Sequence, residues 1–290
     1  MLVRSMGEIS NQPAMCIVPC YREHAHDIEA TVASCIGQSS PFARVVVVDD
    51  GSPQPVVLPP ALSGGQTPVS VLRFEQNRGI SASRNQAIRQ DDCPLVACVN
   101  CQVLLPPQWL SVLAEYLNQH PRVGIVYAQT LSSRPRSLLA RWRMKFHEPK
   151  PISVSGPAPF AVGHAVLFRR EAFDAIGGYN ESLKRIGEDG DLCRRMRDVG
   201  WDTHFVAGPQ CVSTQVDTLR SLAKKQLIRD GWWPGEAYDR RALLGREFRE
   251  LMSRMARNAA RLRLSLLLVD VAIWGVASSI ALSQRPGAAK

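Results

Sequence analysis

Two carboxylates directly follow an apolar, β-branched run in residues 45–52, which read Val-Val-Val-Val-Asp-Asp-Gly-Ser. Four consecutive valines predict a strand that is buried on both faces, as in a parallel sheet covered by helices. Asp49 and Asp50 then fall at the carboxyl end of that strand, where open α/β sheets bind ligands. Their oxygens can accept hydrogen bonds from the N–H groups of a base or from ribose hydroxyls.

Three other residues supply further groups that a nucleotide diphosphate needs. Tyr21, in the turn that follows a short apolar strand, offers a surface on which a base can stack. Arg78 and Arg84 lie near the predicted start of a helix. Guanidinium groups and helix N-termini both favour phosphate oxygens. An ordinary polar loop would contain the same residue types, so the interpretation depends on the rest of the chain.

Alternating strands and helices must position these residues. The sequence predicts strands at 15–18, 45–48, 69–74, 95–99, 123–127 and 162–168. It predicts helices at 27–38, 81–89 with Ser81 as N-cap, 106–118, 170–176 and 188–199. This alternation predicts an α/β fold with a doubly wound, mostly parallel sheet flanked by helices. The proline-rich segment Arg134–Phe160 is predicted to be an irregular lid or acceptor loop.

Composition and charge narrow the class of protein. With 45% hydrophobic and 21% charged residues among 290, the chain is an ordinary globular protein. Its eight cysteines are scattered and no signal peptide precedes them, which predicts reduced cytosolic thiols. Cys98 and Cys101 have Cys-x-x-Cys spacing, but no helix begins there and no second ligand pair lies nearby, so neither a redox nor a zinc site is predicted.

Five motifs occur in a fixed order along the chain: Val18–Glu23, Val47–Ser52, Asn77–Asn85, Gly177–Leu183 and Gly187–Leu192. Their order and spacing resemble family 2 glycosyltransferases of the Rossmann-like GT-A fold, over about residues 14–230. The resemblance implies a nucleotide-sugar donor. It also implies a donor site formed by Pro19, Tyr21, Glu23, Asp49, Asp50, Asn77, Arg78, Arg84, Asn100 and Gln102.

The pair Glu188-Asp189 resembles the acidic pair of this family, in which the aspartate is the general base. Inverting transfer needs a carboxylate to take the proton of the acceptor hydroxyl as that oxygen attacks the anomeric carbon. The resemblance therefore assigns catalysis to Asp189, with Glu188 beside it. A simpler interpretation is that these acids, with Asp191, only stabilise the N-terminus of a helix.

The chain departs from the family where an Asp-x-Asp usually holds a divalent cation. The corresponding residues are Asn100-Cys101-Gln102, and neutral amide oxygens are weak ligands for Mg²⁺ or Mn²⁺. Ser213 falls near the place of a histidine that family members often carry. No metal ligand is therefore predicted, and a requirement for Mg²⁺ or Mn²⁺ is doubtful.

Two hypotheses follow from this departure. In the first, cationic side chains neutralise the diphosphate, and the helix from Thr218 offers Gln226 and Arg229 for that task. In the second, the chain is a catalytically degenerate protein that binds a nucleotide sugar or serves as a scaffold. The retained Glu188-Asp189 pair favours the first.

The end of the chain predicts a membrane contact. Twelve Lys/Arg and five Asp/Glu between Arg220 and Arg263 supply seven of the nine net positive charges. The apolar residues 264–282 follow, interrupted by Asp270. This predicts three regions: a transferase domain at 14–216, a basic helical extension at 217–263 and an apolar membrane-associating helix at 264–282, which could span the bilayer once. The alternative is a C-terminal helix docked on the protein itself.

The sequence thus predicts an inverting glycosyltransferase at the cytoplasmic side of the membrane, either peripheral or single-pass. Its partners would be a nucleotide-sugar donor, a glycan or lipid-linked acceptor and the membrane surface. Nucleic acid is not predicted as a partner, because the basic block contains no nucleic-acid-binding motif.

Overall fold

A computed structural model of the chain describes residues 12–63, 65–133, 137–146, 153–162, 164–183, 187–229 and 239–283. These residues form two compact units. The first comprises residues 1–131 and 150–214, and the second comprises 132–149 and 215–290. The second unit is therefore assembled from two separate stretches of chain.

A sheet of nine strands is found within the described residues. The strands are β1 (Ala14–Cys20), β2 (Arg44–Asp49), β3 (Val69–Arg73), β4 (Leu95–Val99), β5 (Val103–Leu104), β6 (Val123–Ser132), β7 (Gly156–Pro157), β8 (Ala165–Arg169) and β9 (Asp202–Ser213). Their order is β3-β2-β1-β4-β8-β6-β9-β5, and β7 pairs with β9.

Parallel pairing joins the four strands that carry the predicted donor site. Strand β1 lies between β2 and β4, with Cys16 opposite both Val45 and Ala97, and β2 pairs with β3. Strand β8 then runs antiparallel to β4 and β6, so the whole sheet is mixed. The valines of β2 are buried, as expected for a strand covered on both faces.

Helices cover the sheet and build the second unit. They are α1 (Ala25–Ile36), α2 (Ile80–Ile88), α3 (Trp109–Gln119), α4 (Leu138–Phe146), α5 (Arg170–Asp174), α6 (Glu188–Asp198), α7 (Leu219–Arg229), α8 (Arg240–Ala259) and α9 (Leu264–Ser283). Two apolar clusters pack in the first unit, one containing Cys16, Val32 and Leu113, and the other containing Ile17, Phe168 and Met196. The predicted α/β fold class is confirmed.

Several local predictions differ from the structure. Gly79, with a φ of +94°, caps α2 in place of Ser81, and α3 begins at Trp109 after the two prolines. The segment predicted to be irregular contains α4 and the short strand β7. Strands β5 and β9 had not been predicted, and residues 231–235, predicted to interrupt the C-terminal helices, lie outside the described residues.

Helices α4, α7, α8 and α9 form the second unit around an apolar cluster that includes Trp142, Leu222, Leu243 and Ile273. Asp270 of α9 is fully buried among them. It accepts hydrogen bonds from Trp142 Nε1 at 2.6 Å, Arg254 Nε at 3.1 Å and Asn258 Nδ2 at 2.6 Å. These bonds connect α9 to α4 and α8, so the basic extension and the apolar helix belong to one helical unit.

Candidate functional site

The loop after β2 is held by the carboxylate of Asp49. This side chain is fully buried, and its oxygens accept hydrogen bonds from the backbone N–H groups of Ser52 at 2.9 Å and Val56 at 3.1 Å. It also forms an ion pair with Arg73. Burial acts to raise the pKa of Asp49, but these hydrogen bonds and the guanidinium outweigh it and lower the pKa below its usual value.

Asp50 joins the second and third motifs. Its Oδ1 accepts from the backbone N–H of Arg78 at 2.7 Å, and its Oδ2 accepts from Gly79 N at 2.9 Å and Asn77 Nδ2 at 2.9 Å. Gly51, with a φ of +73°, lies so close that a Cβ there would be 2.5 Å from the carbonyl carbon of Gln76. The two carboxylates therefore shape the loops at the sheet edge, and their contact with a nucleotide stays a prediction.

The turn after β1 and the loop after β2 enclose a cleft of about 370 Å³, lined among others by Arg22, Glu23, His24, Ser52, Gln54 and Val56. Tyr21 is about one third exposed, and the guanidinium carbon of Arg22 lies 5.0 Å from the centre of its ring. Burial raises the pKa of Glu23. Pro19 lies within β1 and pairs with Val48 of β2. The predicted base-binding turn thus adjoins an open cleft.

Arg84 of α2 is the charged centre of the site. The side chain is fully buried, and its Nη1 lies 3.3 Å from Glu188 Oε1 and 3.4 Å from Asp189 Oδ1. Its Nη2 donates to Asn100 Oδ1 at 2.8 Å. The fold therefore brings together predicted site residues from α2, α6 and the end of β4. Burial acts to lower the pKa of this guanidinium, but Tyr179 and the two carboxylates raise it above its ordinary value.

The acidic pair at the start of α6 is divided by exposure. Gly187, with a φ of +95°, turns the chain into the helix, and the first turn places both acids beside Arg84. The side chain of Glu188 is 9% exposed and that of Asp189 is 29% exposed. Burial raises the pKa of Glu188, the neighbouring Asp189 adds to the rise and Arg84 opposes it. Asp189 is thus the more accessible base.

Residues 100–102 do not fit a divalent cation. The Oδ1 of Asn100 is occupied by Arg84, and Gln102 donates its Nε2 to Asp27 Oδ2 at 2.8 Å. The described residues contain no group of three His, Cys, Asp or Glu side chains that could hold a metal ion. Cys98 is buried within β4 and burial raises the pKa of Cys101 to about 12, so the Cys-x-x-Cys pair supplies no ready thiolate ligand.

Asn85 and Asp27 are parts of the site that had not been assigned a role. The Asn85 side chain donates to Tyr179 O and to Glu181 Oε1, and it accepts from Tyr179 N, all at 2.9 Å. It stood within a recognised motif, whereas nothing in the sequence indicated that Asp27 would contact Gln102. Of the two residues proposed for the diphosphate, Gln226 is buried in α7 of the second unit and the side chain of Arg229 lies outside the described residues.

Comparison with known proteins identifies the family. The family model described as "Glycosyl transferase family 2" matches residues 15–177, which is more than half of the chain. The chain belongs to glycosyl transferase family 2. This match contains the motifs at the ends of β1 and β2, all of α2 and the segment 100–102, and it confirms the resemblance seen in the sequence.

Two curated relatives agree with the family assignment. The chain is 30% identical over 196 residues to the "Succinoglycan biosynthesis protein ExoU" of Rhizobium meliloti. It is 26% identical over 228 residues to an "N-acetylglucosaminyltransferase" of Azorhizobium caulinodans. These alignments cover 62% and 73% of the chain. The matched part spans 56% and 57% of those proteins, which are therefore considerably longer than the aligned region.

Solved structures agree with the fold. The mannosyltransferase PcManGT from Pyrobaculum calidifontis, in complex with GDP-Man and Mn²⁺, superposes with a TM-score of 0.58 at 18% identity. The superposition covers 95% of this chain and 89% of that protein. Such a similarity establishes the fold of this family 2 member as GT-A.

Proposed function

We propose that this family 2 member transfers a glycosyl group, with inversion, from a nucleotide-sugar donor to an acceptor hydroxyl, and that Asp189 is the general base. The accessible Asp189 carboxylate beside buried Arg84 is the observation that carries the proposal. The carboxylate takes the proton of the acceptor hydroxyl, the hydroxyl oxygen forms the bond to the anomeric carbon, and the nucleoside diphosphate leaves with the bonding electron pair. Buried Glu188 helps to hold Arg84 in place.

Asp189→Asn tests this assignment. The amide keeps the size of the side chain but cannot accept the proton, so transfer should fall by about 10² to 10⁴-fold while nucleotide affinity stays within about twofold. A thermal-shift panel of UDP-, GDP- and TDP-sugars selects the donor, and transfer of its labelled sugar to alkyl-linked monosaccharides gives the rate. Asp198→Asn, at the exposed end of the same helix, is the matched control. Retained turnover in Asp189→Asn would refute the role of the base.

The acceptor is proposed to be a lipid-linked sugar or a growing polysaccharide. The name of one relative, a succinoglycan biosynthesis protein, supports this class of acceptor. The helical second unit supports a reaction at the cytoplasmic face of a membrane. One helix among the described residues, α9, has the length and apolar composition needed to cross a bilayer.

Helices α8 and α9 expose an apolar face together. Leu264, Leu268 and Val271 of α9 are 67%, 70% and 43% exposed, and Phe248 and Met252 of α8 are about half exposed. The rings of Phe248 and Trp274 lie 6.1 Å apart, which joins the two rows into one surface. Exposed arginines flank this face: Arg249, Arg257, Arg261 and Arg263. Apolar side chains bordered by arginine suit the boundary between anionic headgroups and acyl chains.

The buried contacts of α9 favour a helix that lies on the membrane. Asp270 is bonded to α4 and α8, so insertion of α9 alone would break these bonds and bring an aspartate into hydrocarbon. We therefore propose peripheral binding through the α8–α9 face, with the cytoplasmic leaflet as the source of anionic lipid.

Co-sedimentation with vesicles tests the membrane contact. The full chain should bind vesicles that contain phosphatidylglycerol and should bind pure phosphatidylcholine weakly. Leu268→Glu should reduce binding about tenfold, because it places a charge in the apolar face. Val199→Glu introduces the same charge at an exposed valine of the first unit and should change nothing. Equal binding of both variants would contradict this surface, and alkaline extraction distinguishes a spanning helix from a peripheral one.

A further inference from the structure

The orientation of the Asn100 side chain is fixed by Arg84. A guanidinium only donates hydrogen bonds, so the atom that receives Arg84 Nη2 at 2.8 Å must be the amide oxygen of Asn100. The amide nitrogen Nδ2 therefore points the other way, and it makes no hydrogen bond within the part of the chain that the structure describes. The backbone of Asn100 is held as well, because its N–H donates to His164 O at 2.8 Å.

The side chain of Gln102 is directed away by similar logic. A carboxylate accepts, so the 2.8 Å contact with Asp27 Oδ2 identifies the Gln102 atom as the donor Nε2. The backbone N–H of Gln102 donates to Thr31 Oγ1 at 3.0 Å, and its carbonyl accepts from Thr214 N at 2.8 Å. Gln102 is thus tied to α1 and to the end of β9. Asn100 is the residue of this segment that presents a free polar group.

We propose that the Asn100 side-chain N–H₂ donates a hydrogen bond to the diphosphate of the donor and takes the place of the divalent cation, so that the donor binds without metal. This inference rests on the proposed function, because it presumes a nucleoside diphosphate ligand. The family position that carries a metal-binding carboxylate here carries a hydrogen-bond donor. A donor group can bind a phosphate oxygen directly, whereas a carboxylate needs an intervening cation.

Arg84 is a positioning residue in this arrangement. It is fully buried, so it acts through Asn100, and its charge is balanced by Glu188 and Asp189. Exposed Arg78, at the start of α2, supplies the positive charge that a diphosphate needs. The segment therefore combines one fixed amide donor with a mobile guanidinium.

Asn100→Asp separates this arrangement from a metal site. The aspartate would keep its bond to Arg84 but would present an oxygen to the diphosphate, so like charges would repel. Calorimetric titration with UDP and GDP should give the parent chain the same Kd in EDTA and in excess Mn²⁺, within about twofold. The variant should bind the same nucleotide about tenfold or more weakly in EDTA, and Mn²⁺ should restore much of the loss. Asn118→Asp on α3, the matched control, should behave like the parent.

A second variant guards against a folding artefact. Asn100→Ala removes the donor without adding a charge, so it should weaken binding in both buffers with no recovery in Mn²⁺, and thermal melts of both variants report their folding. A parent chain that binds a nucleotide only with Mn²⁺ overturns this inference and leaves the proposed function standing. A parent chain that binds neither nucleotide in either buffer overturns both.

Discussion

Asn85 connects two segments that lie more than ninety residues apart in the chain. Its amide satisfies both polar groups of Tyr179 in the backbone direction it faces, donating to the carbonyl and accepting from the N–H. Gly178 must be a glycine beside it, because a Cβ there would lie 2.9 Å from Asn85 Oδ1. This contact fixes the segment that leads to the acidic pair of α6.

Asn85→Ala should destabilise the protein by about 2–3 kcal/mol, because the buried backbone groups of Tyr179 lose their partners. Urea unfolding of the full chain measures the change. Gln90→Ala, an exposed amide just beyond the same helix, should stay within about 0.5 kcal/mol of the parent. A loss as small as that of the control would show that water replaces Asn85 without cost.

Residue types in the site were predictable, but their partners were not. The run of valines followed by Asp49 and Asp50 located a sheet edge, since that pattern is typical of a buried parallel strand. The direction in which each carboxylate points depends on loops that fold around it, and Asp50 reaches across 28 residues to Arg78. Whether these acids also contact a base stays a prediction.

At the scale of elements, the predictions failed where local signals compete with tertiary pairing. Strand β9 contains Gly208 and Pro209, which ordinarily interrupt a strand, yet the strand extends from Asp202 to Ser213 because β5 and β7 pair with it. Helix α4 was missed because prolines flank its segment in the sequence. Its apolar side chains, Trp142 among them, find their partners on α9.

The buried polar cluster around Asp270 decides how α9 is held. Asp270→Ala should destabilise the second unit by about 3 kcal/mol, because it leaves the buried Arg254 charge without this partner. Chemical denaturation measures the loss. Asp198→Ala removes a carboxylate from an exposed ion pair and should cost less than about 1 kcal/mol. Equal effects of the two substitutions would mean that the cluster contributes no more than a surface pair.

At the scale of the whole molecule, the boundary near residue 216 was predicted because basic helices follow a β-rich region. The clustering of the chain changes at 214–215, close to that position. The sequence could not indicate that residues 132–149 join the C-terminal helices, because membership in a unit depends on long-range packing between α4 and α9.

This discontinuous second unit imposes an order on synthesis at the ribosome. The first unit has all of its segments once residue 214 has emerged, and it can then close its sheet. Helix α4 emerges before β8 and β9 but must wait for α9, the last described helix, before Trp142 finds Asp270. The nascent chain therefore carries an unsatisfied tryptophan between two completed halves of its sheet, and that segment is the natural binding site for a chaperone during translation.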